Sequence, residues 1–409
     1  MKIAVLAALY PTNSLGGAED CARGFATWAA GAGHAVRVVT TEREEGATPK
    51  NDQGVEIVTI RAPHVLPITR VRKGSKWVKP LWHLQDHVST EAAPQVLKAL
   101  DDFAPDVVVV HYVQGFGYRL IERIATAGYP IAYVMHDLAL ACYRMAMFKG
   151  EHPCVGQCLP CKVSSAWKAR IFDRAKRLTA IGILSPSVAN MTRVGQYFPL
   201  DTFERQVVLN TKAYPTPRHP ITPREDGTLR LFFAGKLHES KGVDLLLEAV
   251  EQIADTSGRA IRLNVAGGGP LDRVLRQRFG DRQWCRFLGV VDQQHLADEM
   301  VAADIVCIPS VVYENSPGVA VQALSIGVPV YATPSGGIVE LVEDGRNGRL
   351  IEPTVTAWAA AFSNVITGQT DIAELRRGAQ AGTGLFDVDH IGEQTVAFLQ
   401  SIVDRAAAR

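Results

Sequence analysis

Short apolar runs of strand length alternate along this chain with longer amphipathic stretches, and that alternation restricts the fold more than any other feature. Val36 to Thr40, Val55 to Ile60, Val107 to His111 and Ile131 to His136 have the length and apolar content of buried strands. Ala18 to Ala30 has the spacing of a helix that follows the first strand. Strands that alternate with helices build βαβ units, so the pattern predicts a parallel sheet with helices on both faces. The opening Met1-Lys2 and Ile3 to Tyr10 faintly resembles a secretion signal. Its apolar stretch is short, and Pro11-Thr12-Asn13 followed by Gly16-Gly17 reads as a strand-to-helix turn, so a first β-strand is expected there.

The alternation stops over residues 211 to 228, where Pro215, Pro217, Pro220 and Pro223 precede Asp226-Gly227, the signature of an interdomain linker. It resumes with Leu229 to Ala234, Ile261 to Ala266, Arg286 to Leu288, Ile305 to Pro309 and Val328 to Ala332 as strands. A length of 409 residues exceeds one ordinary core and suits two domains. The expected division is a first domain over 1–212, a second over 213–384, and a closing helix over 385–409 that packs back toward the first. With 47 % hydrophobic and 21 % charged residues the chain is globular, and a net charge of +1 gives no molecule-wide field for nucleic acid or membrane. No apolar run approaches the roughly 18 residues of a membrane helix. Seven cysteines, an odd number with four clustered between 142 and 161, do not form a secreted disulfide framework, and a reducing cytoplasm is expected.

Two motifs invite over-reading. Gly31-Ala32-Gly33 looks like part of a dinucleotide fingerprint, yet it precedes a strand instead of following one and reads better as a helix C-cap. Asp387-Val388-Asp389 looks like a metal-binding aspartate pair but stands just before the final helix, where a capping carboxylate is expected.

The second half carries the residues with chemical promise. After the strand Leu231 to Ala234 comes Gly235-Lys236-Leu237-His238-Glu239-Ser240-Lys241-Gly242. Lys236 and Lys241 on a glycine-bounded loop at a strand's carboxyl end suit an anion; taken alone, they read more simply as two solvated surface lysines. Leu263 to Ala266 runs into Gly267-Gly268-Gly269-Pro270, a turn tight enough for close backbone approach. The segment Pro309 to Leu324 follows a strand, with Ser316 expected as N-cap and Pro317 as first helical residue. A helix N-terminus there, over Asn315, Ser316, Pro317, Gly318 and Val319, would present free N–H groups to a phosphate. Glu314 could accept from sugar hydroxyls or be a surface carboxylate, and Gln322 could reach a ribose.

Taken in order, these segments resemble glycosyltransferase family 4, the retaining enzymes of the GT-B fold. The order is Gly16-Gly17-Ala18-Glu19, His136-Asp137, Ser185-Pro186-Ser187, the lysine loop, Gly267 to Pro270, Phe287-Leu288-Gly289, Glu314 to Gln322, Pro329-Val330 to Gly336-Gly337, Glu340 and Asn347-Gly348. The resemblance implies two Rossmann-like domains facing each other across a cleft, a nucleotide-sugar donor held mainly by the second and an acceptor by the first. It implies that Lys236 and Lys241 bind the diphosphate, with Gly235 and Gly268 beside them. Glu314 would contact the donor sugar, Leu288 would frame the base through its main chain, and Gly16 and Gly17 would approach the phosphates. His136 would lie near the transferred sugar, orienting it or stabilising charge; Glu314 and His136 are the catalytic candidates. Two positions depart from the family: Lys236 stands where arginine is common, and Gln322 where a second glutamate is common. The latter weakens the expected ribose contact, since an amide bonds a hydroxyl less strongly than a carboxylate does.

The implied chemistry is transfer without a catalytic divalent metal, the leaving diphosphate being stabilised by lysines and a helix N-terminus. Front-face attack, with a donor phosphate oxygen taking the acceptor's proton, needs no protein nucleophile. A sugar-nucleotide epimerase of the same fold and a non-catalytic sugar-nucleotide-binding homologue are the alternatives. The acceptor is expected to be a saccharide or a lipid-linked sugar of the cell envelope. Arg61, Arg70, Arg72, Lys73, Lys76 and Lys79, with Trp77 and Trp82 among them and no acid over 61–83, suggest peripheral contact with the inner face of the cell membrane; a solvated basic loop or an acceptor groove fits as well. No nucleic-acid partner is expected. Cys142, Cys154, Cys158 and Cys161 form a loop-like insertion over 142–161 whose thiolates could hold a structural zinc or an iron–sulfur cluster, with His152 a substitute ligand; buried thiols or a disulfide are the other readings.

Overall fold

The computed structural model describes residues 1–10, 17–41, 50–61, 78–149, 152–219, 227–254 and 260–409; the side chains of 78–80, 149 and 152 are outside that description. The described chain forms two compact units. One comprises Met1–Met147, Gly156–Ala213 and Val388–Arg409; the other comprises Phe148–Val155 and Tyr214–Asp387.

In the first unit the strands are β1 (Lys2–Ala7), β2 (Ala35–Thr41), β3 (Asn51–Asp52), β4 (Val55–Ile60), β5 (Val107–Tyr112) and β6 (Ile131–Val134). Two-residue strands β7 (Phe148–Lys149) and β8 (His152–Pro153) pair only with each other, and β9 (Ile181–Ser185) and β10 (Glu204–Val207) complete the main sheet. Its order is β10-β9-β6-β5-β1-β2-β4-β3, parallel apart from the β3/β4 edge. Chain order reverses at β1/β5, which makes the ends of those strands a topological switch point.

The core follows from the strand sequences. Ile3, Val5, Val36, Val38, Val107 and Val109 are buried against Phe25, Ala26 and Ala29 of the Gly17–Gly31 helix. Each such aliphatic side chain stabilises the fold by about 1.5–3 kcal/mol. The expected C-cap is present: Gly33 has φ +87°, and the His34 N–H reaches Ala29 O at 3.0 Å. The last helix, Val388–Ala407, packs Phe398, Leu399 and Ile402 into this same core. It needs Gly182, where a Cβ would stand 2.4 Å from Ile402 Cδ1. Asp389, in its first turn, accepts from the Trp28 indole at 2.8 Å.

The second unit holds β11 (Leu229–Ala234), β12 (Ile261–Ala266), β13 (Cys285–Gly289), β14 (Ile305–Ile308), β15 (Val330–Ala332) and β16 (Gly348–Leu350). Their order, β13-β12-β11-β14-β15-β16, is wholly parallel, and it reverses at β11/β14. Leu231, Phe233, Leu263 and Val265 pack on Leu246, Leu247 and Val250, with Trp358 and Phe362 closing the core. Of the expected linker, Pro215 and Pro217 lie in irregular chain, while Pro220 to Asp226 fall outside the described residues. No described helix is long and apolar enough to cross a membrane.

Candidate active site

Two strand ends in the second unit are drawn together by glycines. Gly242, at φ +62°, lies so close to Pro309 that a Cβ would stand 2.0 Å from its carbonyl oxygen. The Lys236–Gly242 loop after β11 is thereby laid against the end of β14, and Val311 N–H donates to Ser240 O at 3.1 Å. Gly267 (φ +130°) approaches Gly235 in the same way, at 1.8 Å from a notional Cβ to its oxygen. Leu237 N–H then donates to Gly268 O at 3.0 Å. The glycine-rich turns after β11 and β12 therefore run side by side at the switch point, where an open α/β sheet holds its ligand.

The chemically active side chains of this unit meet at one carboxylate. Glu314 Oε1 accepts from Lys241 Nζ at 2.5 Å and from the Ser310 hydroxyl. Its side chain is 13 % exposed against 34 % for Lys241, so the pair is only partly screened by water. The Glu314 backbone is pinned too: its carbonyl accepts from Gly337 N–H at 2.7 Å, beside the tight contact with Gly336. Sequence reading assigned Lys241 to a diphosphate and Glu314 to a sugar; the structure adds that they hold each other. Lys236 is exposed on the same loop, and Leu288 is half-buried at the end of β13.

The following helix starts one residue later than expected. It spans Gly318–Ser325, and Pro317, with ψ 114°, is its N-cap, not its first residue; Ser316 lies before the cap. The extended Pro317 still supplies the carbonyl that closes the first turn, accepting from Ala320 N–H at 2.9 Å. The amides of Gly318 and Val319 stand in that first turn, where N–H groups lack intrahelical partners. Gln322, on the same helix, is 1 % exposed, and its Nε2 has no hydrogen-bond partner. Thr333, just after β15, is 4 % exposed with an equally unpartnered Oγ1. Buried polar atoms are normally satisfied, so Gln322 and Thr333, near the ends of neighbouring strands β14 and β15, each have a hydrogen bond to offer. Ser310 and Thr333 were missed because a lone hydroxyl at a strand end carries no sequence signal.

In the first unit, His136 lies two residues beyond β6, which ends at Val134 and not at His136 as expected. Its ring partner is His111 on β5, while the Oδ1 of the adjacent Asp137 accepts from Ala139 N–H at 2.7 Å. His136 Nε2 and His111 Nδ1 are 2.9 Å apart, and the rings stack at 5.0 Å. His111 also stacks on Phe25 at 5.8 Å, and its Nε2 is buried without a partner. Burial pushes His136 down to about 4, and burial plus His136 holds His111 well below the usual range. Both rings are therefore neutral near pH 7, and His136 can orient a hydroxyl but brings no cation. The signal for His111 was legible, since a histidine closes each of two successive strand runs, VVVVH and IAYVMH. Gly17 is exposed and opens its helix; Gly16 lies outside the described residues.

The cysteines divide. Cys142 and Cys161 are buried with sulfurs 3.5 Å apart. Cys158 is the exposed N-cap of the Leu159–Lys176 helix, within side-chain hydrogen-bonding reach of Cys161. Cys154 belongs to the Phe148–Val155 segment, which groups with the second unit. Among the described residues no three His, Cys, Asp or Glu side chains are arranged to hold a metal ion. The His152 side chain is outside the description.

Residues 16–183 match the model of the glycosyl transferase 4-like domain, and residues 228–368 match that of the glycosyl transferases group 1. A D-inositol 3-phosphate glycosyltransferase of Rhodococcus erythropolis is 28 % identical over 65 % of this chain and 61 % of its own length. That of Xylanimonas cellulosilytica is 28 % identical over 74 % of each. Among solved structures, Anabaena HepE in complex with UDP and glucose superposes with a TM-score of 0.68 at 20 % identity, over 98 % of this chain and 100 % of that one. A sucrose-phosphate synthase from Thermosynechococcus elongatus gives 0.71 at 16 % identity, over 98 % of both. These likenesses make the architecture GT-B, two Rossmann-like units.

Proposed function

The chain belongs to glycosyltransferase family 4, and from that premise we propose that it moves a sugar from a nucleotide-sugar donor to an acceptor hydroxyl, with retention at the anomeric carbon. The observation that carries this reading is the Glu314–Lys241–Ser310 cluster at the β11/β14 switch point.

A departing nucleoside diphosphate gains negative charge on its leaving oxygen, and catalysis requires fixed positive groups where that charge appears. Lys236, Lys241 and the amides of Gly318 and Val319 are the groups offered. Glu314 partly neutralises Lys241 in the free protein, so a bound diphosphate competes with it for the ammonium and leaves its carboxylate to accept from sugar hydroxyls. Gly235 and Gly268 let the backbone approach the donor, Leu288 lies where a base can meet main-chain groups, and Asn315 precedes the helix start. Retention is assigned to front-face attack, the acceptor's proton passing to a donor phosphate oxygen and no protein nucleophile taking part. In this reading the lysines and helix amides take the place of a divalent metal at the leaving diphosphate. HepE's complex with UDP and glucose supports uridine nucleotides as the first donors to try, and the D-inositol 3-phosphate glycosyltransferases support a polar, hydroxyl-rich acceptor.

Product analysis tests this reading. Nucleoside diphosphate release should depend on acceptor, with the donor's anomeric configuration kept in the product by NMR. Acceptor-independent conversion of the donor sugar to an epimer would replace transferase by epimerase; donor binding without turnover would leave a sensing homologue.

Gln322 yields a separate expectation. Its amide is buried with an unpartnered Nε2, so Gln322→Leu should keep or raise the melting temperature of the free protein while weakening donor binding about tenfold, the worth of one hydrogen bond. Gln322→Glu should hold donor at least as tightly but destabilise the free protein, because the new carboxylate would be buried. Equal donor affinities in calorimetric titrations of all three proteins would remove Gln322 from the site.

A further inference from the structure

Two neighbouring helices of the first unit each carry a stripe of apolar residues on the outward face. Val78–Val88 and Leu159–Lys176 are joined by the His87 ring, 2.7 Å from the Ser164 hydroxyl, and by the Trp167 indole, which donates to His87 O at 3.0 Å. On the first helix Leu81, Leu84 and Val88 are 70, 61 and 46 % exposed, at three- and four-residue spacing that puts them on one face. On the second, Leu159, Val163 and Trp167 are 74, 63 and 36 % exposed, at four-residue spacing.

The inward faces mix apolar and polar residues, Trp82, Ile171, Phe172 and Ala175 being buried beside polar groups. Asp86, Ser164, Ser165 and Lys168 are buried. Asp86 Oδ1 accepts from Gly115 N–H at 2.7 Å; Lys168 Nζ donates to Ala139 O at 2.6 Å and lies 4.4 Å from the centre of the Tyr118 ring. A surface helix ordinarily keeps polar residues on its outer face. Single exposed apolar residues need no explanation, but a stripe continued across two helices marks a surface that meets something.

Charge identifies the occupant. From Leu159 to Arg170 the sequence has no acidic residue, and Lys162 and Arg170 are exposed. The one acid of the Val78–Val88 helix is the buried Asp86. A second copy of this face would bring the same sign of charge.

We propose that this two-helix face docks on an anionic lipid bilayer, its six apolar side chains entering the interfacial layer with Lys162 and Arg170 beside the phosphates. This corrects one element of the sequence reading. Trp82, expected at the membrane, is 5 % exposed and turned into the core; Trp167 of the other helix is the described indole on the face. Residues 62–77 are outside the description and the docking face does not include them. The proposal is independent of the sugar-transfer reading.

Co-sedimentation of the full chain with vesicles tests it. Wild type should partition onto equimolar phosphatidylglycerol and phosphatidylcholine at low salt, less onto phosphatidylcholine alone, and less again at about 1 M salt, where the Debye length is about 3 Å. The paired substitutions Leu84→Ser and Val163→Ser should lower partitioning about tenfold or more without moving the melting temperature, since both side chains are exposed. Leu385→Ser, at a residue 67 % exposed in the second unit, should bind like wild type. Absence of vesicle binding by wild type, or equal binding by the paired variant, would overturn the proposal. So would a wild-type dimer that the paired variant dissolves, which would give the face to a second copy.

Discussion

Lys241→Ala is expected to lower kcat/KM about ten- to hundredfold, the worth of one charge-assisted hydrogen bond to a diphosphate, and to cost more than Lys236→Ala. The asymmetry comes from the structure. Lys236 is an exposed cation, and its removal subtracts one favourable charge. Removing Lys241 also leaves Glu314, 13 % exposed, without the ammonium 2.5 Å from its oxygen, so an incoming diphosphate meets an uncompensated carboxylate. Glu314→Gln should therefore rescue part of the donor affinity lost in Lys241→Ala, a non-additivity that two independent surface residues would not show. Near-normal rates in both lysine variants at subsaturating donor would remove the loop from the site.

His136→Ala should lower kcat about a hundredfold if the ring positions a group in the transition state, on the scale of removing one such donor. The pH profile separates positioning from cationic catalysis. With His136 held down to about 4 by burial and His111 lower than usual, activity should show no inflection near pH 6.5 from either ring. A sigmoid centred there that disappears in His136→Ala would contradict a neutral role. Stability should carry the titration instead. Both folded values lie below the ordinary histidine value, so the neutral pair stabilises the fold fully above about pH 6.5. That contribution is lost as pH falls toward about 4, where the folded His136 ring takes up its proton. His111→Phe, which keeps the stack on Phe25, should reduce this acid sensitivity in denaturant melts at pH 7 and pH 5.

What could be read from the sequence followed the strength of local patterning. Apolar runs such as VVVVHY announced β5, and the polar break at 211–228 announced the change of unit. The strands that went unread are those with weak patterns. Ile181–Ser185 includes Gly182, required by packing with a helix more than two hundred residues later. Glu204–Val207 reads as polar because it is the sheet edge, buried only in part. The donor-side residues Lys241 and Glu314 were legible one by one, but their ion pair was not, since it depends on Gly242 packing against Pro309. His111 itself was legible as a strand-end histidine, but its pairing with His136 across strands was not, and the outward faces of two helices emerged only from which side each buries.

Calorimetric titration of nucleotide sugars into wild type and Lys241→Ala addresses the claim on which the rest depends, that the β11/β14 switch point holds a nucleoside diphosphate. One member of a panel of UDP, GDP and ADP sugars should bind wild type at one site per chain, and the same donor should bind Lys241→Ala about tenfold or more weakly. Equal affinity in the two proteins, or no binding of any panel member to wild type, would contradict it.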